Sequence, residues 1–406
     1  MRPTLKKHFG FDEFRPLQQK IIESILSGKD TLALLPTGGG KSLCYQLPAM
    51  MLPGLTLVVS PLISLMKDQV AGLEDTNIPA AYLNSSLGVR EERRIKQELQ
   101  DGKIKILYVA PERLMKEGFM EFLKALTVSL IAVDEAHCIS EWGHDFRPEY
   151  RNISQVRGQF PGVPVIALTA TATTKVKSDI VRQLAFKDYG SFCGSFDRPN
   201  IHYSIRPKSD AYSEIVSYIE DRPGKSGIVY CHSRASVERV AEDLTADGIQ
   251  ALPYHAGLSP KERAKNQELF MKGEVQVITA TIAFGMGIDK PDIRFVIHHD
   301  LPKNLEGYYQ ETGRAGRDGK PAECVLFFSY HDKEKHEYFI GKMTDSARIR
   351  VAEAQLETMV TYCTARFCRR KMLLKYFGEN YANAKCDNCD ICDYQPSKVV
   401  RKDIVW

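Results

Sequence analysis

The sequence lacks the long apolar segments that membrane insertion or export requires. Across its 406 residues, proline, glycine or charged side chains interrupt every apolar run before it reaches the roughly 18 residues typical of a transmembrane helix. The first seven residues have no apolar core of the kind found in a signal peptide. Tandem repeats and low-complexity tracts are also lacking. These absences predict a cytoplasmic protein with no membrane association.

A strong excess of either charge is lacking as well. The net charge is +4, and 26% of the residues are charged. This balance permits nucleic-acid binding without establishing it, because a basic surface would have to be local. The apolar content of 43% is enough for each domain to bury a core. By length, the chain is expected to hold two to three domains.

Ten cysteines are present, but a disulfide framework is not expected in a large cytosolic chain. Four of them cluster near the C-terminus. The other six lie in scattered apolar contexts and are predicted to be small buried hydrophobic residues. These six are Cys44, Cys138, Cys193, Cys231, Cys324 and Cys363.

Short apolar runs alternate with helical patterns, which predicts parallel sheets with helices on both faces. The first set of predicted strands comprises residues 31–35, 55–60, 104–109, 130–133 and 165–169. The second set comprises residues 227–231, 251–255, 275–280, 295–299 and 324–328. Between the two sets, glycines and prolines over residues 189–207 predict a domain break. After residue 330, two helical stretches precede the cysteine cluster.

A glycine-rich turn with the sequence Leu-Pro-Thr-Gly-Gly-Gly-Lys-Ser occupies residues 35–42, between a predicted strand and a predicted helix. Backbone N–H groups in such a turn point at phosphate oxygens. Lys41 supplies charge for the β and γ phosphates, and the Ser42 hydroxyl can ligate Mg²⁺. Leu35 replaces the first glycine of the general pattern, but the core of the pattern is intact. The turn therefore predicts a nucleotide site rather than a chance glycine turn, formed by Thr37, Gly38, Gly39, Gly40, Lys41 and Ser42.

Two carboxylates follow the apolar run that ends at residue 133. Asp134 can reach Mg²⁺ bound beside a phosphate-binding loop, and Glu135 can orient and deprotonate an attacking water. The alternative is a chance acidic pair at a strand end, which the upstream phosphate-binding turn disfavours. His137 and Cys138 have no second pair at metal-ligand spacing, so coupling or packing is their expected role.

A glycine-rich segment at residues 310–319 carries Arg314 and Arg317. Taken alone, it would indicate a solvated basic turn. In a chain with a phosphate-binding turn, it predicts arginines that act across a domain interface, because negative charge develops on a transferred phosphoryl group.

The C-terminal cysteines have the spacing of a tetrahedral thiolate site for Zn²⁺, and the predicted ligands are Cys368, Cys386, Cys389 and Cys392. Four protein ligands leave no open position, so the predicted role is structural. An iron–sulfur cluster is the main chemical alternative, because four thiolates suit both, and free thiols or disulfides are the other alternative. The adjacent basic residues 369–371 are predicted to keep the thiolates ionised or to meet nucleic-acid phosphates.

Taken in order, these motifs resemble those of superfamily 2 helicases, which also have a Thr-Ala-Thr motif like residues 169–171. Further features resemble the RecQ family of DNA helicases. They are Phe-Gly at residues 9–10, Phe-Arg-Pro-Leu-Gln at 14–18, the aromatic-rich stretch 141–150, residues 283–290 and the cysteine tail. The resemblance covers residues 5–395.

The resemblance implies an α/β fold with two tandem RecA-like parallel-sheet domains and a small helical zinc-binding domain. The expected domains are residues 1–195, 196–338 and 339–406. The implied activity is that of an ATP-dependent 3′-to-5′ DNA helicase or translocase acting in DNA repair and recombination. ATP, Mg²⁺ and structural Zn²⁺ are the implied cofactors.

Residue roles also follow from the resemblance, position by position. Gln18 would bind the adenine edge, with Arg15 and Phe11 flanking the ring. Phe11 stands where the family often has tyrosine, and Glu141 stands where it often has glutamine. Asp289 would lie near the ribose. Arg317 would be the arginine finger, with Arg314 as its coupling neighbour.

The aromatic-rich stretch also has a physical interpretation of its own. Trp142, Phe146 and Tyr150 offer faces for base stacking, worth about 1–3 kcal/mol per base, and Arg147 adds charge. The alternative is that these rings fill a core, but their position just after residues 134–135 favours a loop that links the ATP site to DNA. The resemblance adds weak signals for contact with the DNA backbone at Ser60, Ser233 and Arg234.

The implied partners are single-stranded DNA and 3′-tailed or forked duplex DNA, together with a single-stranded-DNA-binding protein. A monomer in the bacterial cytoplasm and nucleoid is expected. The alternatives are an RNA helicase of the same superfamily and a DNA-binding adaptor without turnover. The family commonly continues into a winged-helix domain, whereas this sequence stops at Trp406. ATP hydrolysis and translocation are therefore expected more firmly than efficient unwinding.

Overall fold

The computed structural model describes residues 1–84, 87–143, 145–285 and 290–393. Within these residues the chain forms two sheets in which every pair of neighbouring strands is parallel. The strands read as near-continuous apolar runs, as expected for parallel strands that are covered on both faces.

The first sheet has the strand order β3-β4-β2-β5-β6-β1-β7 in the described part of the chain. Its strands are β1 Asp30–Leu34, β2 Leu55–Val59, β3 Ala80–Leu83, β4 Ile106–Val109, β5 Val128–Val133, β6 Val165–Thr169 and β7 Tyr189–Cys193. The helices of this half are α1 Arg2–Phe9, α2 Gln18–Leu26, α3 Leu43–Met51, α4 Ile63–Glu74, α5 Val89–Gln100, α6 Pro111–Leu114, α7 Phe119–Lys124, α8 Ile153–Gly158 and α9 Thr174–Gln183. Short 3₁₀ helices span Ala136–Ile139 and Pro148–Asn152.

The second sheet has the order β10-β11-β9-β12-β13-β8 among the described strands. Its strands are β8 Ile201–Pro207, β9 Ser226–Tyr230, β10 Ala251–Tyr254, β11 Val277–Ala280, β12 Ile293–His298 and β13 Ala322–Phe328. Its helices are α10 Ala211–Glu220, α11 Arg234–Ala246, α12 Pro260–Lys272 and α13 Leu305–Thr312. Three further helices follow: α14 Tyr330–Ile340, α15 Ser346–Thr364 and α16 Arg369–Tyr376.

Alternate residues of each strand enter different cores, because successive side chains of a strand point to opposite faces. In β2, Leu57 packs on one face of the first sheet and Val58 on the other. In β9, Ile228 and Val229 divide in the same way between the two faces of the second sheet. Each sheet is therefore a middle layer between two helical layers.

The helices beyond β13 share their cores with the sheets. Met359 and Tyr362 of α15 join the core on one face of the second sheet. Leu374, on α16, and Phe377, which follows it, join the core of the first sheet instead. The cysteine-containing segment is therefore packed against both halves of the molecule.

The predicted break at residues 189–207 is wrong in its extent, because β7 and β8 lie within it. Both are outer strands of their sheets. Gly190 belongs to β7 because the strand packs closely on α2: a Cβ there would lie 2.5 Å from Ser24 Oγ. Pro207 is the last residue of β8, where a missing N–H is tolerated. The chain passes between the sheets at residues 194–200.

Two other features of the fold differ from what the sequence predicted. The edge strand β3 was not predicted, because two of its four residues are alanine, which is depleted in strands. Cys193, predicted to be buried, is exposed at the end of the outer strand β7. The remaining five scattered cysteines are buried, as predicted.

Among the described helices, none is both long enough and apolar enough to cross a membrane.

We expect Gly227→Ala to destabilise the second sheet. A Cβ on Gly227 would overlap the ring of Phe295, which is fully buried and packs edge-on against Tyr218. Overpacking of this kind costs about 1–3 kcal/mol of unfolding free energy, which urea denaturation measures. Gly72→Ala is the matched control, since Gly72 lies in α4 with nothing within 4 Å of its Cβ position. Equal stability of the two variants would contradict this packing.

Candidate active site and metal centre

The glycine-rich turn joins the end of β1 to the start of α3. Gly38 and Gly40 have φ angles of +80° and +74°, which side-chain-bearing residues rarely adopt. A Cβ on Gly39 would lie 2.9 Å from the Pro36 carbonyl oxygen, and one on Gly40 would overlap the Gln18 amide. The turn therefore requires glycine at these positions and exposes its backbone, as phosphate binding demands.

Gln18 and Arg15 hold this turn from α2 and the segment before it. The buried Gln18 side chain accepts the Arg15 N–H at 2.8 Å and donates to the Gly40 carbonyl at 3.0 Å. The Arg15 guanidinium donates to the Gly38 carbonyl. Phe11 has an exposed side chain. The two polar residues predicted to surround the adenine thus contact the phosphate-binding turn directly.

Asp134 and Glu135 lie at the carboxyl end of β5, beside the turn. Burial and the adjacent Glu135 carboxylate raise the pKa of Asp134 to about 7. Glu135 has a φ of +47° and donates its N–H to Asp134 Oδ1 at 3.0 Å. Residues other than glycine rarely adopt this left-handed backbone conformation, and those that do are concentrated at functional sites. A buried carboxylate beside a second, partly buried one calls for a cation, so the donor set of Asp134 and the Ser42 hydroxyl fits Mg²⁺.

A chain of polar contacts leads from Glu135 towards the second sheet. His137 Nδ1 lies 3.2 Å from Glu135 Oε2 and 2.8 Å from Thr169 Oγ1. Burial alone would lower the pKa of His137, but the neighbouring Cys138 and Glu135 outweigh it and raise the pKa to about 10. Two residues further on, Thr171 Oγ1 accepts a hydrogen bond from the Gln310 amide at 3.0 Å. The coupling role predicted for His137 is consistent with this placement.

The arginine segment faces the turn across the space between the sheets. Arg317 side-chain carbons lie as close as 3.6 Å to the Cβ position of Gly38. Arg314 is buried, and its Nε has no hydrogen-bond partner among the described residues. A cleft of about 350 Å³ brings the two sides together. It is lined by Arg15, Thr37, Gly38, Gly40, Lys41, Ser42, Asp134, Glu135, Gln310, Arg314 and Arg317, among others. Asp289 lies outside the described residues.

The aromatic-rich stretch packs on the 3₁₀ helix that follows Glu135. A Cβ on Gly143 would lie 2.5 Å from the His137 carbonyl oxygen, so the loop approaches at backbone distance. Arg147 donates its N–H to the Cys138 carbonyl at 3.0 Å and its guanidinium to the Pro61 carbonyl at 2.7 Å. The loop is therefore fixed to the segment that carries the two carboxylates.

The aromatic side chains of the aromatic-rich stretch differ in their exposure to solvent. Trp142 is 39% exposed, and the Lys175 ammonium lies 2.9 Å from the centre of its ring. Phe146 is half-buried beside the guanidinium of Arg348, at 5.8 Å from its ring centre. Both rings can be reached from solvent, whereas His144 lies outside the described residues.

Two of the residues expected to meet DNA are placed otherwise. Tyr150 is fully buried, and its hydroxyl donates to the Asp134 carbonyl at 3.1 Å, so for this ring the core alternative is correct. The Ser60 hydroxyl is buried, without a partner among the described residues, and Ser60 directly follows the interior strand β2. Ser233 caps α11 by accepting the Ser236 N–H at 3.1 Å, and Arg234 is exposed.

The four predicted metal ligands come together. The thiol sulfurs of Cys368, Cys386, Cys389 and Cys392 all lie within 4.8 Å of one another. Cys386 Sγ and Cys392 Sγ are 3.8 Å apart, close to the separation of about 3.8 Å that a tetrahedral site with Zn–S bonds of about 2.3 Å requires. Clusters with several irons distribute their thiolates over separate metals. The cluster therefore fits a single structural Zn²⁺.

The basic residues beside this cluster have structural partners. Arg369 is buried and binds the Asp390 carboxylate, at 2.9 Å, and the Tyr362 carbonyl. Arg370 is also buried and donates to the carbonyls of Arg198 and Ile201, both at 2.7 Å. The expectation that these two arginines meet nucleic-acid phosphates is wrong, since neither is accessible.

Sequence reasoning missed residues that act through tertiary contacts. Arg198, in the segment between the sheets, binds three carbonyls of the arginine segment. Lys175 covers Trp142 from the start of α9. Neither position stands in a motif, so no local pattern could have identified it.

We expect Cys392→Ala to lose zinc, because three thiolates hold the ion far less tightly than four. Metal analysis after dialysis against a chelator should find zinc in the unchanged chain and none in the variant. Thermal unfolding should begin at a lower temperature, since α16 packs on both sheets. Cys193→Ala is the control, because Cys193 is exposed and outside the cluster. Full zinc retention by Cys392→Ala would show that the cluster does not bind the metal.

Three family models match the chain in succession. The DEAD/DEAH box helicase model matches residues 15–179, and the helicase conserved C-terminal domain matches residues 208–319. The RecQ zinc-binding model matches residues 330–393.

Named relatives match over almost the whole chain. The ATP-dependent DNA helicase RecQ of Haemophilus influenzae is 46% identical over 395 residues, which are 97% of this chain and 64% of that protein. The RecQ-like DNA helicase blm-1 of Caenorhabditis elegans is 46% identical over 97% of this chain and 41% of that protein. The chain thus spans less than two thirds of the length of these relatives.

Solved structures share the fold. Mss116p, solved with single-stranded RNA and AMP-PNP, superposes with a TM-score of 0.69 at 17% identity, over 92% of this chain and 89% of that one. The Lhr helicase of Mycobacterium smegmatis gives a TM-score of 0.64 at 19% identity, over 88% of this chain and 57% of that one. The two sheets therefore have the RecA-like fold. Three family models match in order, and a RecQ relative is 46% identical over 97% of this chain, so the chain belongs to the RecQ family.

Proposed function

We propose that this chain is the motor of an ATP-dependent DNA helicase, which moves 3′ to 5′ on single-stranded DNA. One observation carries the proposal: a phosphate-binding turn on one sheet and two arginines on the other line a single cleft. A nucleotide bound there would be held by both domains, so its hydrolysis could change how the domains sit relative to each other.

The triphosphate would lie against the exposed backbone of Gly38 to Lys41, with the Lys41 ammonium on its terminal phosphates. Ser42 and Asp134 would hold Mg²⁺, which supplies positive charge to the phosphates. The adenine would be bound by Gln18, with Arg15 and Phe11 flanking its ring. The contacts of Gln18 and Arg15 with the glycine turn would make base binding and phosphate binding cooperative.

Glu135 would orient the attacking water and accept its proton. Its unusual backbone conformation and its contact with His137 hold the carboxylate in one direction. Arg317 would stabilise the charge that develops on the transferred phosphoryl group, and Arg314 would support it from its buried position. Asp289 stays a proposed ribose contact.

DNA would act on hydrolysis through the aromatic-rich stretch. Trp142 and Phe146 would stack on bases, and Arg147, Ser233 and Arg234 would contact the phosphate backbone of the DNA. A base that stacks on the covered face of Trp142 must displace the Lys175 ammonium, which is then free to meet a phosphate. Because the aromatic-rich stretch packs on the His137 carbonyl, displacement of Lys175 would also affect the segment that carries Asp134 and Glu135.

The wider setting is part of the same proposal. The substrates would be single-stranded and 3′-tailed or forked duplex DNA, processed during repair and recombination by a monomer in the bacterial cytoplasm and nucleoid. A single-stranded-DNA-binding protein is the proposed protein partner. The names of the two relatives, both DNA helicases, support DNA over RNA. The RNA bound to Mss116p makes RNA the alternative to test.

We expect the protein to unwind a 3′-tailed DNA duplex and single-stranded DNA to stimulate its ATP hydrolysis strongly. Both would be measured on zinc-loaded protein, with single-stranded RNA of the same sequence as the matched control. Stimulated hydrolysis without strand separation would assign duplex opening to a domain outside this chain. Stimulation by RNA alone would show that RNA is the substrate and DNA is not. No stimulation by either nucleic acid would overturn the helicase proposal.

We expect Arg317→Ala to lower kcat for ATP by at least about 10³-fold, which is the lower range for loss of an arginine finger. Binding of a fluorescent ATP analogue should change little, because the turn and Lys41 are untouched. Arg206→Ala is the control, since Arg206 pairs with Glu214 at 3.1 Å on the outer strand β8. A kcat like that of the control would exclude Arg317 from the reaction.

A further inference from the structure

The segment between the two sheets, residues 194–200, lies against the arginine segment on one side and the zinc unit on the other. We call this segment the linker, and the zinc unit is defined as α16 with the four-cysteine cluster and the residues between them. Tyr309 of α13 donates its hydroxyl to the Phe196 carbonyl at 2.8 Å. The linker therefore packs under the helix from which the arginine segment emerges.

Arg198 forms three hydrogen bonds with the backbone of that segment. Its guanidinium donates to the carbonyls of Gly313 at 3.0 Å, Ala315 at 2.7 Å and Gly316 at 3.0 Å. These carbonyls lie on either side of Arg314 and immediately before Arg317. They belong to the turn that ends α13, where carbonyl groups lack helical partners and favour a cation. One side chain thus fixes the backbone that carries both arginines.

Asn200 adds a second attachment from the linker. Its amide donates to the Gly316 carbonyl and to the Lys320 carbonyl, both at 2.9 Å. Gly316 has a φ of +56°, and a Cβ there would lie 2.5 Å from the Asn200 amide nitrogen. The segment can therefore adopt this path only with glycine at this position.

The zinc unit holds the linker from the opposite side. Arg370 of α16 donates to the Arg198 carbonyl, at 2.7 Å, and to the Asp197 carboxylate, at 2.5 Å. Glu379, just beyond α16, accepts the Phe196 N–H at 2.7 Å. Phe377 stacks on Phe196 with ring centres 4.7 Å apart. Since α16 begins directly after the ligand Cys368, these contacts connect the metal site to the linker.

We propose that Arg198 is a positioning residue for Arg314 and Arg317, and that the zinc unit secures it through Arg370. The inference rests on the proposed function, because it requires Arg317 to act on ATP. Arg198 is not expected to touch the nucleotide. Its effect is to hold the backbone of the arginine segment, and a displacement of about 1 Å there can cost about 10²-fold in rate.

Arg198→Lys tests this directly, because lysine keeps the charge but cannot bind three carbonyls with a planar fork. We expect kcat of DNA-stimulated hydrolysis to fall by about 10- to 100-fold. The KM for ATP and the binding of a fluorescent ATP analogue should stay within about 2-fold, because the turn on the first sheet is unchanged. Arg222→Lys is the matched control, since Arg222 binds the Glu323 carboxylate and the Tyr218 carbonyl and no part of the arginine segment.

Combining variants separates positioning from general destabilisation. Adding Arg198→Lys to Arg317→Ala should lower kcat by much less than Arg198→Lys does alone, because one of the two groups that Arg198 positions is already gone. Arg370→Lys, with zinc content verified, should also lower kcat at constant analogue binding. Its effect should not add to that of Arg198→Lys, since both act on one backbone.

A kcat for Arg198→Lys equal to that of Arg222→Lys would overturn the inference. So would a loss that adds fully to the loss in Arg317→Ala, since that result indicates a structural role. If Arg317→Ala itself hydrolyses ATP normally, the proposed function fails first. If Arg317→Ala is inactive and Arg198→Lys is normal, only the positioning role fails.

Discussion

The proposed function requires that cationic groups from two separate sheets meet the negative charge of a nucleoside triphosphate. Lys41 comes from the first sheet and Arg317 from the second, and both line one cleft of about 350 Å³. Neither domain alone offers the full set, so stabilising the charge that develops during hydrolysis would favour an arrangement that brings the sheets together. The buried Asp134 and the adjacent, partly buried Glu135 place two carboxylates together, which makes the surrounding cations still more necessary. The rest of the molecule holds these cationic and carboxylate groups around one cleft.

The sequence predicted the parts of the site that lie in continuous motifs. The glycine turn, the residues 134–135 and the four cysteines each stand at spacings with a local physical meaning, and the structure brings the members of each group together. Ten of the thirteen described strands were expected, because apolar runs between helical patterns are strong signals. The three others are outer strands, two of them in the region predicted to be irregular.

What could not be predicted depends on which side chains meet across the fold. Tyr150 and Trp142 looked equivalent in sequence, yet one is fully buried against Asp134 and the other is open to solvent. Contact with phosphate was one of two alternatives expected for Arg370, and the residue is instead buried and binds backbone carbonyls. In each case the residue type fitted two environments, and only the packing of distant segments decided between them.

Besides stabilising the fold, the zinc unit connects the metal site to the arginine segment. Zn²⁺ fixes the start of α16 through Cys368, and α16 fixes the linker through Arg370. The linker is the segment whose path must change if the sheets move relative to each other, and Arg198 joins that path to the arginine segment. If Arg198 positions the arginine segment as proposed, this attachment would keep the geometry of the arginines constant when the linker moves. On that proposal, a metal site remote from the nucleotide would contribute to the precision of its hydrolysis.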